Sequence, residues 1–456
     1  MTFRQRILKA HPAALVLGSF ILVIIVGTLL LKLPFSTVTG SISFVDSLFT
    51  ATSAVCVTGL AVVDTGSYFT LFGQCVILAL IQTGGLGIIT ISVSLFRWLG
   101  RSISFRNRMV MQDLFTHTPK EDIFSLVKSV ALFTLGAEAI GAVLLFIHWI
   151  QELPFFSAIY VSVFHSVSAF CNAGFALYPD SMVRYSGSLL LNFTICSLII
   201  VGGIGFPVLY DLAPWLWRGQ LQKKVLSVQT RVVLWTTIIL IIFGTLMFGI
   251  LEKPSSGNDQ SLAHRILTPF FQSVTCRTAG FNTVDIGSLT DATIAIMIFL
   301  MFFGASPGSC GGGVKTTTLA ILFAFALSRI RRKRRVNFFK KSIPVETVNR
   351  SISLVLISIG IISLVLILIL IGDSLTEHNL ANERGAFLVY LFETVSAFGT
   401  VGLSMGITSQ LNVPAKLWIT LMMIIGRVGV LTFSYIIIGT GTTTGVEYSE
   451  ENLMVG

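Results

Sequence analysis

Four short passages of this chain share a residue pattern that could handle a bare cation. They read SLFTATSAVCVTGLAVVD (Ser47 to Asp64), SVFHSVSAFCNAGFALYPD (Ser162 to Asp180), PFFQSVTCRTAGFNTVD (Pro269 to Asp285) and LFETVSAFGTVGLSMG (Leu391 to Gly406). They align on one glycine each: Gly59, Gly174, Gly280 and Gly402. A phenylalanine stands ten residues earlier in each, at Phe49, Phe164, Phe270 and Phe392. The third copy is open to a one-residue shift, because FQSV there matches FHSV in the second. Before the glycines lie Val57-Thr58, Asn172-Ala173, Thr278-Ala279 and Thr400-Val401. A dehydrated K⁺ needs oxygen ligands in place of its water, and rings of backbone carbonyls supply them. Glycine gives the backbone the freedom to aim those carbonyls inward. Thr400-Val401-Gly402 also repeats the start of the TVGYG potassium filter. One such tripeptide is weak evidence; four glycine-aligned loops are strong.

Such loops need elements to hold them at membrane depth. The chain has 456 residues, 54% hydrophobic and 11% charged. Soluble domains carry roughly 25% charged residues, so a water-soluble fold is excluded. Apolar runs near 12–33, 123–149, 229–251 and 346–372 precede the four passages. Runs near 68–98, 186–217, 287–328 and 414–440 follow them. Each is long enough to cross the hydrocarbon as a helix. The passages are too short and polar to cross, so they read as re-entrant loops, tolerated only where protein buries them or they line a watery path. The expected fold is an all-α integral membrane protein: four pseudo-repeats of span, pore loop and span, eight transmembrane helices around one pore. The repeats fall at 1–108, 109–224, 225–341 and 342–445, with a tail at 446–456.

Charge agrees with that topology. The net charge is +10, which on a soluble chain would suggest nucleic acid. Here the bases sit in loops between repeats: Arg97, Arg101, Arg106 and Arg108; Arg218, Lys223, Lys224 and Arg231; and the run from Arg329 to Lys341. The opposite loops carry Asp64, Glu152, Asp180, Asp285, Asp373, Glu377 and Glu383. This is the positive-inside pattern, with both termini cytoplasmic and no nucleic-acid partner. The N-terminal apolar run is too long for a signal peptide and reads as an uncleaved first span.

Glycine clusters recur in the second spans: Gly84-Gly85-Leu86-Gly87, Gly202-Gly203-Ile204-Gly205, Gly311-Gly312-Gly313 and Gly426-Arg427-Val428-Gly429. Close helix packing explains most of them. The third unit differs: GASPGSCGGGVKTTT, Gly304 to Thr318, should break its helix. It resembles a phosphate-binding loop only superficially, since Val314 separates Gly313 from Lys315. Arg427 has long apolar flanks, and a membrane-buried arginine is a functional hypothesis by default. Arg277, three residues before Gly280, would oppose conduction if it faced the ions; it is expected behind the filter, paired with a carboxylate. Asp64, Asp180 and Asp285 follow their glycines closely and read either as an anionic outer mouth or as ordinary solvated charges. Glu138 is either a satisfied packing residue or part of an ion path. The six cysteines (Cys56, Cys75, Cys171, Cys196, Cys276, Cys310) and six histidines (His11, His117, His148, His165, His264, His378) show no metal or disulfide spacing. No catalytic set is visible, so the chain does not read as an enzyme.

Taken together, the four loops, RTAGF at Arg277 to Phe281, the Gly-rich break, IGRVG at Ile425 to Gly429 and the tail ENLMVG resemble the Trk/Ktr/HKT superfamily of potassium transporters, most like its KtrB-type membrane subunits. The resemblance covers essentially the whole chain. It implies a potassium-selective uptake subunit of a bacterial cell membrane. Relatives with serine in the first loop tend to admit Na⁺, and Gly59 stands there in this chain. It places Arg427 below the filter, near the broken stretch, which makes Gly304, Gly308, Ser309, Cys310, Gly311, Gly312, Gly313, Lys315 and Arg427 a candidate gate. It implies a homodimer with two pores and a cytosolic nucleotide-binding ring (an RCK/KTN, KtrA-type partner). K⁺ is then the cargo, Na⁺ a second candidate ion for symport, and no organic cofactor is expected. The alternative is a Na⁺-coupled secondary transporter, which also uses broken helices.

Overall fold

The computed structural model describes residues 12–86, 123–217, 226–252, 262–333, 335–375 and 385–430. Within them the chain runs four times through a long helix, a short buried helix, an extended limb and a further helix. The outer helices are Pro12–Leu31, Ile123–Trp149, Val228–Leu251 and Val345–Leu375. The short pore helices are Phe44–Val55, Phe155–Phe170, Leu262–Thr275 and Ala386–Gly399. The inner helices begin at Leu71, Leu189, Asp291 and Val413.

Capping fixes several starts. Ser43 accepts from Asp46 N at the first pore helix, and Thr70, Thr290 and Asn412 cap three inner helices, each satisfying an otherwise orphan amide. The outer helices are apolar all round. Ile21, Leu22, Leu135, Ile140, Ile239, Leu246, Leu356 and Leu364 are exposed on them. An apolar surface of that extent belongs against lipid. Three described helices (Lys128–Trp149, Val228–Leu251, Val345–Ser374) are by themselves long and apolar enough to cross a membrane. The bent pair Leu189–Ile204 and Phe206–Leu212 makes a fourth; the other apolar helices are shorter.

Packing closes the four sets into a ring. Each outer helix lies against its own pore helix. Each inner helix lies against the next pore helix: Leu71–Gly85 on Phe155–Phe170, Leu189–Ile204 on Leu262–Thr275, Asp291–Phe302 on Ala386–Gly399, and Val413–Val428 back on Phe44–Val55. Lys416 Nζ bonds Asp46 Oδ1 at 2.7 Å across that last junction.

The structure corrects two expectations and decides the open register of the third copy. The second inner span is not straight: it turns by 97° after Ile204, where Gly205 takes φ +97° and Pro207 follows. The fourth inner helix stops at Gly429, φ +93°, so these last glycines of their clusters serve as corners more than as packing surfaces. The third copy is indeed one residue short. Phe271, fully buried, takes the place of Phe49, Phe164 and Phe392, while Phe270 is only partly buried. The third inner span breaks as expected, between Phe302 and Thr316.

Charge separates along the third unit. Glu252, at one end of its outer helix, accepts from Thr290 N at 2.9 Å beside the pore-loop mouth. Arg231, at the other end, lies 5.6 Å from the Phe339 ring in the basic hairpin of Asn337–Phe338 and Lys341–Ser342. The repeat boundary set at 341/342 falls inside that hairpin. Gly87, the bases at 97–108 and 218–224, and the tail lie outside the described residues.

Candidate ion filter and gate

Each pore helix points its C-terminal end at the aligned glycine, so its negative dipole end faces the same small volume. Beyond the helix the backbone repeats one conformation four times. The residue two before each glycine is left-handed: Val57 (φ 57°), Asn172 (59°), Thr278 (126°) and Thr400 (49°). The glycines are left-handed too, at φ 92°, 69°, 80° and 91° for Gly59, Gly174, Gly280 and Gly402. Non-glycine residues take such values rarely, and then only where their surroundings enforce it. The enforcement is visible. Thr58 N, Ala173 N and Val401 N bond to Ser53 O, Ser168 O and Ser396 O at 2.7–2.9 Å. In the third loop Ala279 N reaches Thr275 O instead, at 2.9 Å. That tighter closure absorbs the missing residue and accounts for the wider φ at Thr278. Ser53 Oγ and Ser396 Oγ accept from Gly59 N and Gly402 N, each at 3.1 Å. Ser168 Oγ and Thr275 Oγ1 donate to Phe175 O and Phe281 O.

The four glycines meet. A Cβ on Gly174 would stand 3.0 Å from Gly280 Cα and 2.7 Å from Ala279 O. On Gly59 it would meet Gly174 Cα at 3.1 Å and Ala173 O at 2.5 Å. On Gly280 it would meet Val401 O and Gly402 Cα; on Gly402, Thr58 O and Gly59 Cα. The carbonyls of Thr58, Ala173, Ala279 and Val401 thus crowd one narrow ring, and no side chain fits at any of its corners. A vestibule of roughly 330 Å³ opens onto this ring and is lined by all four glycines. Asp64 also lines it. Asp64 caps its neighbour helix through Ser67 N at 2.8 Å. Asp180 and Asp285 are not among the lining residues. Asp180 pairs with Arg184 at 3.2 Å, and Asp285 accepts from Gly287 N at 3.0 Å.

Directly beneath the ring lies the broken segment of the third unit. Its backbone is tied to the glycine clusters of the other inner helices. Ser306 N donates to Gly203 O (3.1 Å), Cys310 N to Gly202 O (3.3 Å) and Gly313 N to Gly426 O (3.2 Å). Gly308 O accepts from Phe206 N at 3.0 Å, and Cys310 Sγ reaches Gly85 O at 3.3 Å. Upward, Gly312 N donates to Thr400 Oγ1 at 2.8 Å. A Cβ on Gly304 or Gly311 would strike the Thr278 side chain. Thr278 Oγ1 in turn bonds the Asn172 side chain at 3.0 Å. Ser309 Oγ donates to Ser306 O at 2.7 Å. Lys315 Nζ caps Gly311 O and Gly312 O at 2.7 and 3.4 Å. Arg427 is buried and donates to Cys310 O and to Gly84 O. One guanidinium therefore joins the fourth, third and first units.

Two expectations fare differently. Arg277 is buried, but among the described residues no carboxylate pairs with it, and its Nε has no acceptor. Glu138 is buried with its carboxylate 3.7 Å from Cys171 Sγ, and its backbone carbonyl accepts from Ser166 Oγ; it packs beside the second pore helix. Sequence reasoning missed His165, Gln272 and Glu393, which brace the loops from behind. Their signal was present: one polar residue directly after each buried phenylalanine, with Thr50 in the first copy.

Comparison with known proteins follows the same lines. The TrkH family, described as cation transport protein, matches residues 10–438. "Ktr system potassium uptake protein B" of Vibrio alginolyticus is 38% identical over 98% of this chain and 96% of its own length. The Bacillus subtilis protein of the same name is 39% identical over 93% and 92%. "Potassium/sodium uptake protein NtpJ" of Enterococcus hirae is 34% identical over 98% of each. The crystal structure of the potassium transporter TrkH from Vibrio parahaemolyticus shares the fold, with a TM-score of 0.65 at 18% identity, covering 92% of this chain and 84% of that one. A closed ring of four pore helices, glycine corners and a match along nearly the whole length lead to one conclusion: the chain belongs to the TrkH family of cation transport proteins.

Proposed function

We propose that this chain is the ion-conducting membrane subunit of a bacterial potassium uptake system, and not an enzyme. The observation that carries the reading is the glycine ring, in which four left-handed glycines face one another and the preceding carbonyls crowd the same constriction. Carbonyl rings exchange for the hydration shell of K⁺, and the helix C-termini behind them favour a cation. The filter comprises Val57-Thr58-Gly59, Asn172-Ala173-Gly174, Thr278-Ala279-Gly280 and Thr400-Val401-Gly402. The segment from Gly304 to Lys315, held by Arg427, is the gate in its closed position. Asp64 draws cations to the outer mouth.

The relatives named as Ktr system uptake proteins support a multi-component system. We therefore expect a homodimer in the cell membrane, termini inside, with a cytosolic nucleotide-binding ring on its basic face. The Enterococcus hirae relative, named for potassium and sodium, favours a second reading in which Na⁺ accompanies or couples to K⁺. The test is complementation of a bacterium lacking its own K⁺ uptake. The unmutated chain should restore growth at low K⁺. Gly174→Asp and Gly280→Asp should abolish it at equal membrane abundance; growth sustained by either variant would sink the reading.

A further inference from the structure

The pore helices are held by the core, but the limbs that leave the filter are extended and make few backbone bonds. One structurally equivalent position recurs on the pore helices, directly after the buried phenylalanine: Thr50, His165, Gln272 and Glu393. All four are buried. Three of them reach across to the outgoing limb of their own loop. His165 Nε2 accepts from Leu177 N at 3.3 Å, while its Nδ1 bonds Val161 O at 2.8 Å. The ring is further fixed by stacking on Tyr178, centroids 5.7 Å apart at 16°. Gln272 Nε2 donates to Thr283 Oγ1 at 3.2 Å. Glu393 Oε1 accepts from Thr408 Oγ1, which lies 2.9 Å from Ser404 Oγ. Thr50 turns back onto its own helix at Asp46 O, 2.8 Å, and makes no such tie.

We infer that His165, Gln272 and Glu393 are positioning residues that set the ion selectivity of the glycine ring. The inference rests on the reading of the four loops as a K⁺ filter. Gly174, Gly280 and Gly402 each sit between two anchors. Upstream is the turn that closes the pore helix, such as Ala173 N on Ser168 O at 2.7 Å. Downstream is the side-chain strut. With both anchors in place the carbonyls cannot contract around an ion smaller than K⁺. Cutting the downstream anchor lets the loop close in on Na⁺ without disturbing the core that folds it. The chemistry differs between copies (imidazole, amide, carboxyl), yet each strut lands three to six residues past its filter glycine, at Leu177, Thr283 and Thr408, which an incidental core polar residue would not reproduce three times.

The experiment is calorimetric titration of the purified full chain with K⁺ and with Na⁺, which reads filter binding whatever the gate position. Glu393→Leu and Thr408→Val cut one strut from its two ends, and the second is nearly isosteric, so folding is preserved. Each should narrow the ratio of Na⁺ to K⁺ dissociation constants about fivefold to tenfold, the effect of losing one buried hydrogen bond. The double variant should add nothing further, and Glu393→Gln, which keeps an acceptor, should restore most of the ratio. Gln272→Leu should act likewise in the third loop. A merely structural role would lower protein yield or weaken both ions equally, leaving the ratio fixed. Gly402→Ser runs in parallel. If it collapses the ratio while Thr408→Val and Glu393→Leu leave it unchanged, the strut inference is overturned and the filter stands. If Gly402→Ser also changes nothing, the filter reading fails and this inference falls with it.

Discussion

Replacing Arg427 by alanine tests the gate where the geometry is most specific. The guanidinium donates to Cys310 O in the broken segment and to Gly84 O at the end of the first inner helix. Hydrogen bonds from a charged donor contribute about 1.5–3 kcal/mol each, and the one to Cys310 O ties the segment itself, so it holds the closed segment by about 1.5–3 kcal/mol. The backbone bonds of Ser306, Cys310 and Gly313 to Gly203, Gly202 and Gly426 survive. A net loss of about 1.5–3 kcal/mol remains, and at about 1.4 kcal/mol per factor of ten the open fraction rises roughly tenfold to a hundredfold. Rb⁺ uptake by proteoliposomes holding the chain alone should rise by that factor, up to the limit set by a fully open pore. Arg427→Lys, with one reachable donor, should fall between. A folded Arg427→Ala protein with unmutated basal flux would refute the reasoning and leave Arg427 as a packing strut between units.

Four further outcomes follow from the same structure. Deleting Gly308 to Gly313 removes the ties to Gly202, Gly426 and Thr400; flux should rise and escape control by a cytosolic partner, as tracer uptake with and without that partner will show. Phe271→Ala should cost about 3–5 kcal/mol of stability and Phe270→Ala much less, because only Phe271 is fully buried; thermal unfolding in detergent ranks the two. Gly426→Ala would drive a Cβ into Phe398 O, so the chain should lose thermal stability outright. Lys416→Met should lower stability by about 1 kcal/mol, since Lys416 and Asp46 form a partly exposed pair across the ring closure; unfolding with and without added salt checks it.

Much of this was legible in the sequence because its signals are local. Apolar runs gave the outer helices, since lipid accepts no other face. The aligned glycines gave the loops, since only glycine tolerates both the left-handed φ and the absence of space at Gly402 against Thr58. The break after Phe302 followed from one proline and five glycines. What escaped was set by contacts between distant segments. Gly205 and Pro207 permit a break but do not set its angle; the 97° turn is fixed where Phe206 N pairs with Gly308 O from another unit. The third copy's register became decidable only once Phe271 was seen in the core. His165 lacks any metal-site spacing and reads as a core histidine until Leu177 N is found on its ring nitrogen. The carboxylate expected for Arg277 is missing because the arginine is enclosed near the filter with no acid among its described neighbours. Of the three acids that follow the glycines, only Asp64 lines the vestibule; all three are engaged locally, by Ser67, Arg184 and Gly287.

The central claim is that four glycines define a K⁺-selective constriction. Cation flux into proteoliposomes holding the purified chain, compared for K⁺, Rb⁺ and Na⁺ with and without Gly402→Ser, tests it most directly. The expected result is passage of K⁺ and Rb⁺ with Na⁺ excluded, and Na⁺ admitted once a side chain at position 402 displaces the ring at Gly59 and Thr58. Equal rates for K⁺ and Na⁺ through the unmutated chain would contradict the account.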